Sequence, residues 1–301
     1  MTDGAKGVLA MVLTCTVWGL SPLYYALLKH VPPLEVLSYR SLWSLGFFAV
    51  ILTAQGRLHL VGHAIAQRQV WLIGLAAVFI SANWFGFIFA IQAGQGMAAS
   101  LGYYIFPLVA VVMGRVLFGE TLGRAQWVAV LLAGLAVLGL TVGLGVPPWI
   151  ALALAGTFGA YGVIKKQLSL GPVVSVTAEV ALMAPLAIFW LLWAGTQGDA
   201  TWQTHALLAL SGPLTAMPLV LFSYAARRTR MSTVGLLQYI NPTLQFACAV
   251  FAFGEPFTQW HAIAFPLIWI ALVIYSIAAI RQERASRRAA SSVVTSVAVV
   301  T

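Results

Sequence analysis

Residues 236–255 constrain the fold more than any other stretch of this chain. They are apolar throughout most of their length and reach the roughly 20 residues a spanning helix needs. Yet Gln238, Asn241 and Gln245 interrupt them at spacings of three and four, which puts three amides on one helical face. Pro242 sits among them, removing a backbone donor and bending any helix that contains it. In lipid, such groups are tolerated only where they face protein or a water-filled cavity.

The stretch has an echo. Tyr104-Ile105-Phe106-Pro107 and Gly119-Glu120 recur as Tyr239-Ile240-Asn241-Pro242 and Gly254-Glu255, both at an offset of 135 residues. Pro33 precedes Arg40 by seven residues, and Pro172 precedes Glu179 by the same interval. Trp18-Gly19 finds a looser match in Tyr161-Gly162. A duplicated, proline-broken helix with a polar face implies the core of a carrier.

Composition excludes the main alternatives. With 61% hydrophobic and 8% charged residues, the chain lies far outside soluble domains. The net charge of +9 is no nucleic-acid signature, because the basic residues fall in short loops between apolar runs. Cys15 and Cys248 both lie inside such runs, so no disulfide framework is implied. The run from Gly7 to Leu28 is too long for a cleavable signal and reads as the first span.

Ten helices are predicted, near 6–28, 34–54, 70–92, 97–117, 124–143, 148–165, 173–194, 205–226, 232–253 and 259–280. Threaded from a cytoplasmic N-terminus, fourteen Lys and Arg residues fall on the cytoplasmic side, Lys29 falls outside, and Arg40 lies within a span. Five helices per half is odd, so the second half is expected upside down relative to the first. The expected architecture is an all-α membrane protein: two inverted-topology five-helix repeats, residues 1–143 and 144–281, around a central cavity. Residues 282–301 read as a basic, disordered cytoplasmic tail.

Several stretches together carry a resemblance. They are Trp18-Gly19-Leu20-Ser21-Pro22-Leu23-Tyr24, Arg40-Ser41-Leu42-Trp43-Ser44, Ser81-Ala82-Asn83-Trp84, Ala99-Ser100-Leu101-Gly102-Tyr103, Ser211-Gly212-Pro213-Leu214-Thr215-Ala216 and Gly235-Leu236-Leu237-Gln238-Tyr239-Ile240. On these the chain resembles the RarD-type permeases, in the EamA branch of the drug/metabolite transporter superfamily. The resemblance implies ten helices in two inverted halves and a secondary carrier, often an exporter. Two positions depart from the subgroup's pattern: Phe106 stands where an asparagine is usual, and Ala98 where an acid is. That points to a different or less polar solute.

The candidate substrate-binding or cavity residues are Trp18, Asn83, Trp84, Tyr103, Tyr104, Phe106, Tyr161, Gln238, Tyr239, Asn241 and Gln245. Each has a plainer reading, as interhelical glue or interfacial aromatic. Arg40 and Glu179 are the two charges well inside spans. From opposite faces their backbones sit at different depths. Arg40 is therefore expected to snorkel outward, and Glu179 to meet Lys165, Lys166 or Arg115. Glu120 and Glu255 read as caps of the helices that follow them. His59 and His63 lie in a loop without a metalloprotease glutamate, so no metal site is expected. No nucleophile set or phosphate-binding loop appears, so no catalytic residue and no cofactor are assigned.

The sequence thus predicts a non-enzymatic exporter of small organic metabolites or drugs, working by alternating access in a bacterial inner membrane with both termini cytoplasmic. Its partners would be a small-molecule substrate and the bilayer, with a coupling proton and homo-oligomer formation left open and nucleic acid excluded. The competing readings are a membrane-embedded enzyme or lipid-handling protein, and a non-transporting sensor.

Overall fold

The computed structural model describes residues 3–119, 122–145, 148–195, 201–229 and 231–300, and among them no strand occurs. The helices are α1 Asp3–Leu27, α2 Pro33–Ala54, α3 His59–Ala66, α4 Val70–Gln92, α5 Gly96–Phe118 and α6 Arg124–Leu144. The second part of the chain adds α7 Trp149–Gln167, α8 Pro172–Ala194, α9 Trp202–Ala226, α10 Met231–Leu237, α11 Ile240–Ala247 and α12 Gln259–Val300. Eight of these contain a stretch long and apolar enough to cross a membrane. The other two expected spans are α7 and the interrupted α10–α11 segment.

Local chemistry explains the boundaries. Pro33 and Pro172 open α2 and α8, where their missing N–H costs nothing. Gly119 closes α5 at φ +65°, a left-handed conformation that glycine adopts without penalty. At the start of α6 the Gln126 side chain accepts from the Gly123 N–H at 2.9 Å. His59 and His63, read as loop residues, lie on the short helix α3. The last helix, Gln259–Val300, continues through the basic tail where disorder was expected.

The ninth expected span departs most from the sequence reading. It is not one bent helix but two short ones joined by a turn at Gln238-Tyr239. A wider π-turn follows at Cys248–Ala252, where the Phe253 N–H reaches the Cys248 carbonyl at 2.9 Å. The carbonyl that Pro242, lacking an N–H, leaves without its helical donor belongs to Gln238. It is engaged instead by the Asn241 N–H at 3.2 Å, a tighter turn that absorbs the missing donor. Pro107, by contrast, sits inside an unbroken α5.

Packing brings the two parts of the chain together. Helix α5 lies on α7, α4 on α7 and α8, α1 on α9 and α11, α2 on α8 and α9, and α6 on α12. Exchanging the first five spans with the last five maps this set of neighbours onto itself. Two of the exchanged pairs are close enough to need glycine: a Cβ on Gly19 would meet Leu244 at 2.6 Å, and one on Gly102 would meet the Ala151 carbonyl at 2.8 Å. Large apolar side chains cover the outside, and exposed Trp71, Trp127, Trp149, Trp193 and Trp202 stand near helix ends, as in an interfacial belt.

Candidate functional site

Aromatic rings run edge to edge through the interior between α1 and α7. On α1 Tyr24 meets Tyr25, and Tyr25 meets Phe87 of α4, which meets Tyr103 of α5. Tyr103 contacts Phe158 of α7, whose ring touches both Phe106 and Tyr161. Centroid separations of 4.8–6.0 Å and mostly steep interplanar angles are those that the ring quadrupoles favour. Of this track, Tyr103, Phe106 and Tyr161 were sequence candidates. Tyr24, Tyr25, Phe87 and Phe158 were missed, because a phenylalanine or tyrosine within an apolar run carries no mark of its neighbours.

A charge lies near each end. At one end, Glu179 of α8 is fully buried and accepts from Lys165 Nζ at 2.6 Å, from Ser175 Oγ at 2.8 Å and from the Tyr161 hydroxyl at 3.1 Å. Lysine was among the bases expected for it. At the other end, Arg40 of α2 does not snorkel outward. It is 7% exposed, donates from Nη1 to the Tyr25 hydroxyl at 2.8 Å, and lays its guanidinium 4.1 Å from the Trp84 ring centroid. The rings offer it an inward partner, which outweighs the path to water. Its Nε has no partner.

Asn83 and Trp84, adjacent on α4, have separate roles. The Asn83 amide donates to the Leu154 carbonyl at 3.0 Å and to Thr157 at 3.1 Å, and its oxygen accepts from Tyr103 at 2.9 Å. This buried side chain ties α4 to α5 and α7 with both of its ends engaged. An apolar crevice of about 40 Å³ beside it, lined by Ala82, Gly86, Trp149 and Thr157 among others, has room for little more than a water. Exposed Ala82, Ala153 and Trp149 place that crevice on the outer surface, away from the aromatic track.

The amide face of the interrupted span holds together only in part. Gln245 is 3% exposed and donates to the Asn241 side chain at 2.9 Å, while its own Oε1 has no partner. Whichever way the amide is turned, one end lacks a hydrogen bond. Gln238 and Tyr239 are half-buried at the turn, with Tyr239 packed toward α12. Trp18 lies away from the track, its ring against Phe222 of α9.

The two proline-bearing spans are bonded to each other. Ser100 Oγ donates to the Pro242 carbonyl at 2.9 Å, and the Tyr104 hydroxyl lies 2.7 Å from Thr243 Oγ1. Glu255 crosses the same junction. It was read as the cap of the helix that follows it, but its carboxylate accepts from the Gly96 and Met97 N–H groups at 2.6 and 2.8 Å, capping α5. The reason is spatial: α12 begins four residues later, whereas the open N-terminus of α5 faces the carboxylate. Burial pushes this carboxyl above the usual range, against the opposing pull of the two N–H donors and of Lys29. Glu120 lies outside the described residues.

The model of the EamA-like transporter family matches the chain twice, over residues 5–142 and 147–277. An uncharacterised transporter of Vibrio cholerae is 39% identical over 95% of this chain and 97% of its own. The protein RarD of Streptomyces exfoliatus is 43% identical over 90% and 88%, and that of Escherichia coli K12 is 35% identical over 93% and 96%. A solved crystal structure superposes with a TM-score of 0.60 over 93% of this chain and 99% of that one. At 20% identity it speaks to the fold alone.

Proposed function

The chain belongs to the EamA-like transporter family, and from that premise we propose that it is a secondary carrier exporting small organic solutes by alternating access. It is a multi-pass membrane transporter whose partners are a small-molecule substrate and the lipid bilayer. The finer reading rests on one observation. In the interior of the interrupted span, Gln245 is buried with one amide end unbonded, beside a helix break of the kind lipid does not tolerate unless protein or a cavity receives it. A side chain serving only as glue would have both ends occupied, as Asn83 does.

The exchangeable set of helix neighbours supports two halves of opposite orientation rocking about the α5–α11 junction. The fourteen-to-one distribution of basic residues supports cytoplasmic termini in an inner membrane. Glu179, with three donors around it, fits an anchor rather than a proton carrier.

Counterflow into liposomes, screened over organic acids, amines, amino acids and antibiotics, tests the reading. At least one solute should exchange saturably, and Gln245→Leu should reduce that exchange without loss of folded protein. Right-side-out and inverted vesicles then give the direction. Wild-type liposomes inert to every class would favour a sensor or membrane enzyme instead.

A further inference from the structure

Arg40 is a buried cation whose hydrogen bonding is unfinished. Arg40 takes no part in the described ion pairs, Lys6–Asp3 and Lys165–Glu179. Glu179 is already committed to Lys165. What the site supplies instead is aromatic: the Trp84 ring at 4.1 Å, the Tyr25 ring at 5.7 Å, and the Tyr25 hydroxyl on Nη1.

These contacts divide by geometry. A guanidinium is a plane whose faces take aromatic rings and whose edges carry five N–H donors. Trp84 satisfies a face, and Tyr25 satisfies one donor of one edge. The Nε donor, 93% or more shielded with its residue, is left with no acceptor. An uncompensated cation in a membrane interior is costly, and its natural complement is an oxyanion taking two parallel donors. The neighbouring rings of Tyr25, Phe87 and Tyr103 form an edge-to-face wall beside it, suited to an apolar body attached to that oxyanion.

We propose that Arg40 is the anion-binding element of the substrate site, and that the transported class is organic carboxylates with an aromatic or apolar body. The inference rests on the carrier reading, which it deepens. It divides the roles of the two intramembrane charges: Glu179 with Lys165 is internal to the fold, while Arg40 awaits its counter-ion from outside it.

The test uses the full-length protein in nanodiscs of zwitterionic lipid, with benzoate as probe and benzamide as its uncharged isostere. Benzoate should bind and raise the melting temperature, whereas benzamide should do neither. Arg40→Met should lose benzoate affinity by roughly 10- to 100-fold, the worth of a charge-assisted pair. Arg40→Lys keeps the charge without the fork and guards against misfolding of the first variant; it too should bind more weakly, with a melting temperature near wild type. Equal binding of benzoate and benzamide, absence of benzoate binding, or unchanged affinity in both variants overturns the proposal. If phosphatidylglycerol in the disc gives an Arg40-dependent shift and benzoate does not, the site serves a lipid headgroup and the proposal also falls. Binding is read without flux, so a neutral solute exchanged in liposomes would sink the anion site while leaving the carrier standing.

Discussion

Arg40 and Glu179 occupy matching places in the chain, each seven residues after the proline that opens its helix, and each is buried. Their surroundings differ completely. Glu179 has a lysine, a serine and a tyrosine directed at its two oxygens. Arg40 has two rings and one hydroxyl, with an N–H left over. Burial alone therefore does not mark a functional charge. Whether the hydrogen bonds of the charge are complete separates a group that holds the fold from one that waits for something.

Removing each charge separates the two sites most directly. Glu179→Gln strands Lys165, and losing one member of a buried pair costs about 3–5 kcal/mol, so folded yield and melting temperature should both fall sharply. Arg40→Met removes an unpaired charge and replaces it with apolar volume, so it should melt within about 1 kcal/mol of wild type. Matching losses in thermal melts of the two variants would mean that Arg40 is as structural as Glu179. The double change Lys165→Met with Glu179→Leu sharpens the point, because it should recover much of what Glu179→Gln loses.

The amides repeat the contrast on a smaller scale. Asn83→Ala leaves the Tyr103 hydroxyl and the Thr157 side chain short of a partner and should cost roughly 1–3 kcal/mol of stability. Gln245→Leu removes an orphan acceptor together with one bond to Asn241, and should cost under about 1 kcal/mol while reducing exchange in liposomes. Chemical unfolding read beside counterflow separates them. A large stability loss at Gln245 with intact exchange would make it ordinary glue.

Glu255 should show the smallest effect. Its folded pKa is raised, so the folded state holds the proton to higher pH than the unfolded chain does. Its contribution to stability is present in acid and fades as pH rises through that raised value. The melting temperature of Glu255→Gln relative to wild type should therefore improve as pH climbs from about 4 to about 7. A flat difference across that range would show that the two N–H bonds and Lys29 offset the desolvation in full.

Much of this was legible in the sequence, for identifiable reasons. Spans follow from apolar length, and the ends of α2, α5 and α8 from proline and glycine chemistry that acts locally. That Glu179 would meet a base among Lys165, Lys166 and Arg115 followed from topology, since all lie on the same predicted side, and the structure selects Lys165. What failed were claims about direction. Arg40 was expected to reach for water because Glu179 sits at a different depth, and the Trp84 and Tyr25 rings that draw it inward lie 44 residues ahead and 15 behind it. Glu255 was assigned to its own neighbour when the helix it caps is 159 positions away. The break at Gln238-Tyr239 was placed at Pro242, because the residue that lacks a donor is visible in sequence and the turn that absorbs the lack is not.

The junction of the two proline-bearing spans has a consequence for biogenesis. The interrupted segment cannot complete its hydrogen bonds alone: Pro242 depends on Ser100, 142 positions earlier, for a second donor to its carbonyl, and Glu255 needs the start of α5. In a bilayer an irregular backbone without such a receptor is unfavourable. Because synthesis runs from the N-terminus, α5 has entered the membrane before Pro242 leaves the ribosome. The order of the chain thus delivers the mould before the piece that must be cast in it, and a version with the two halves transposed would expose the broken helix to lipid first.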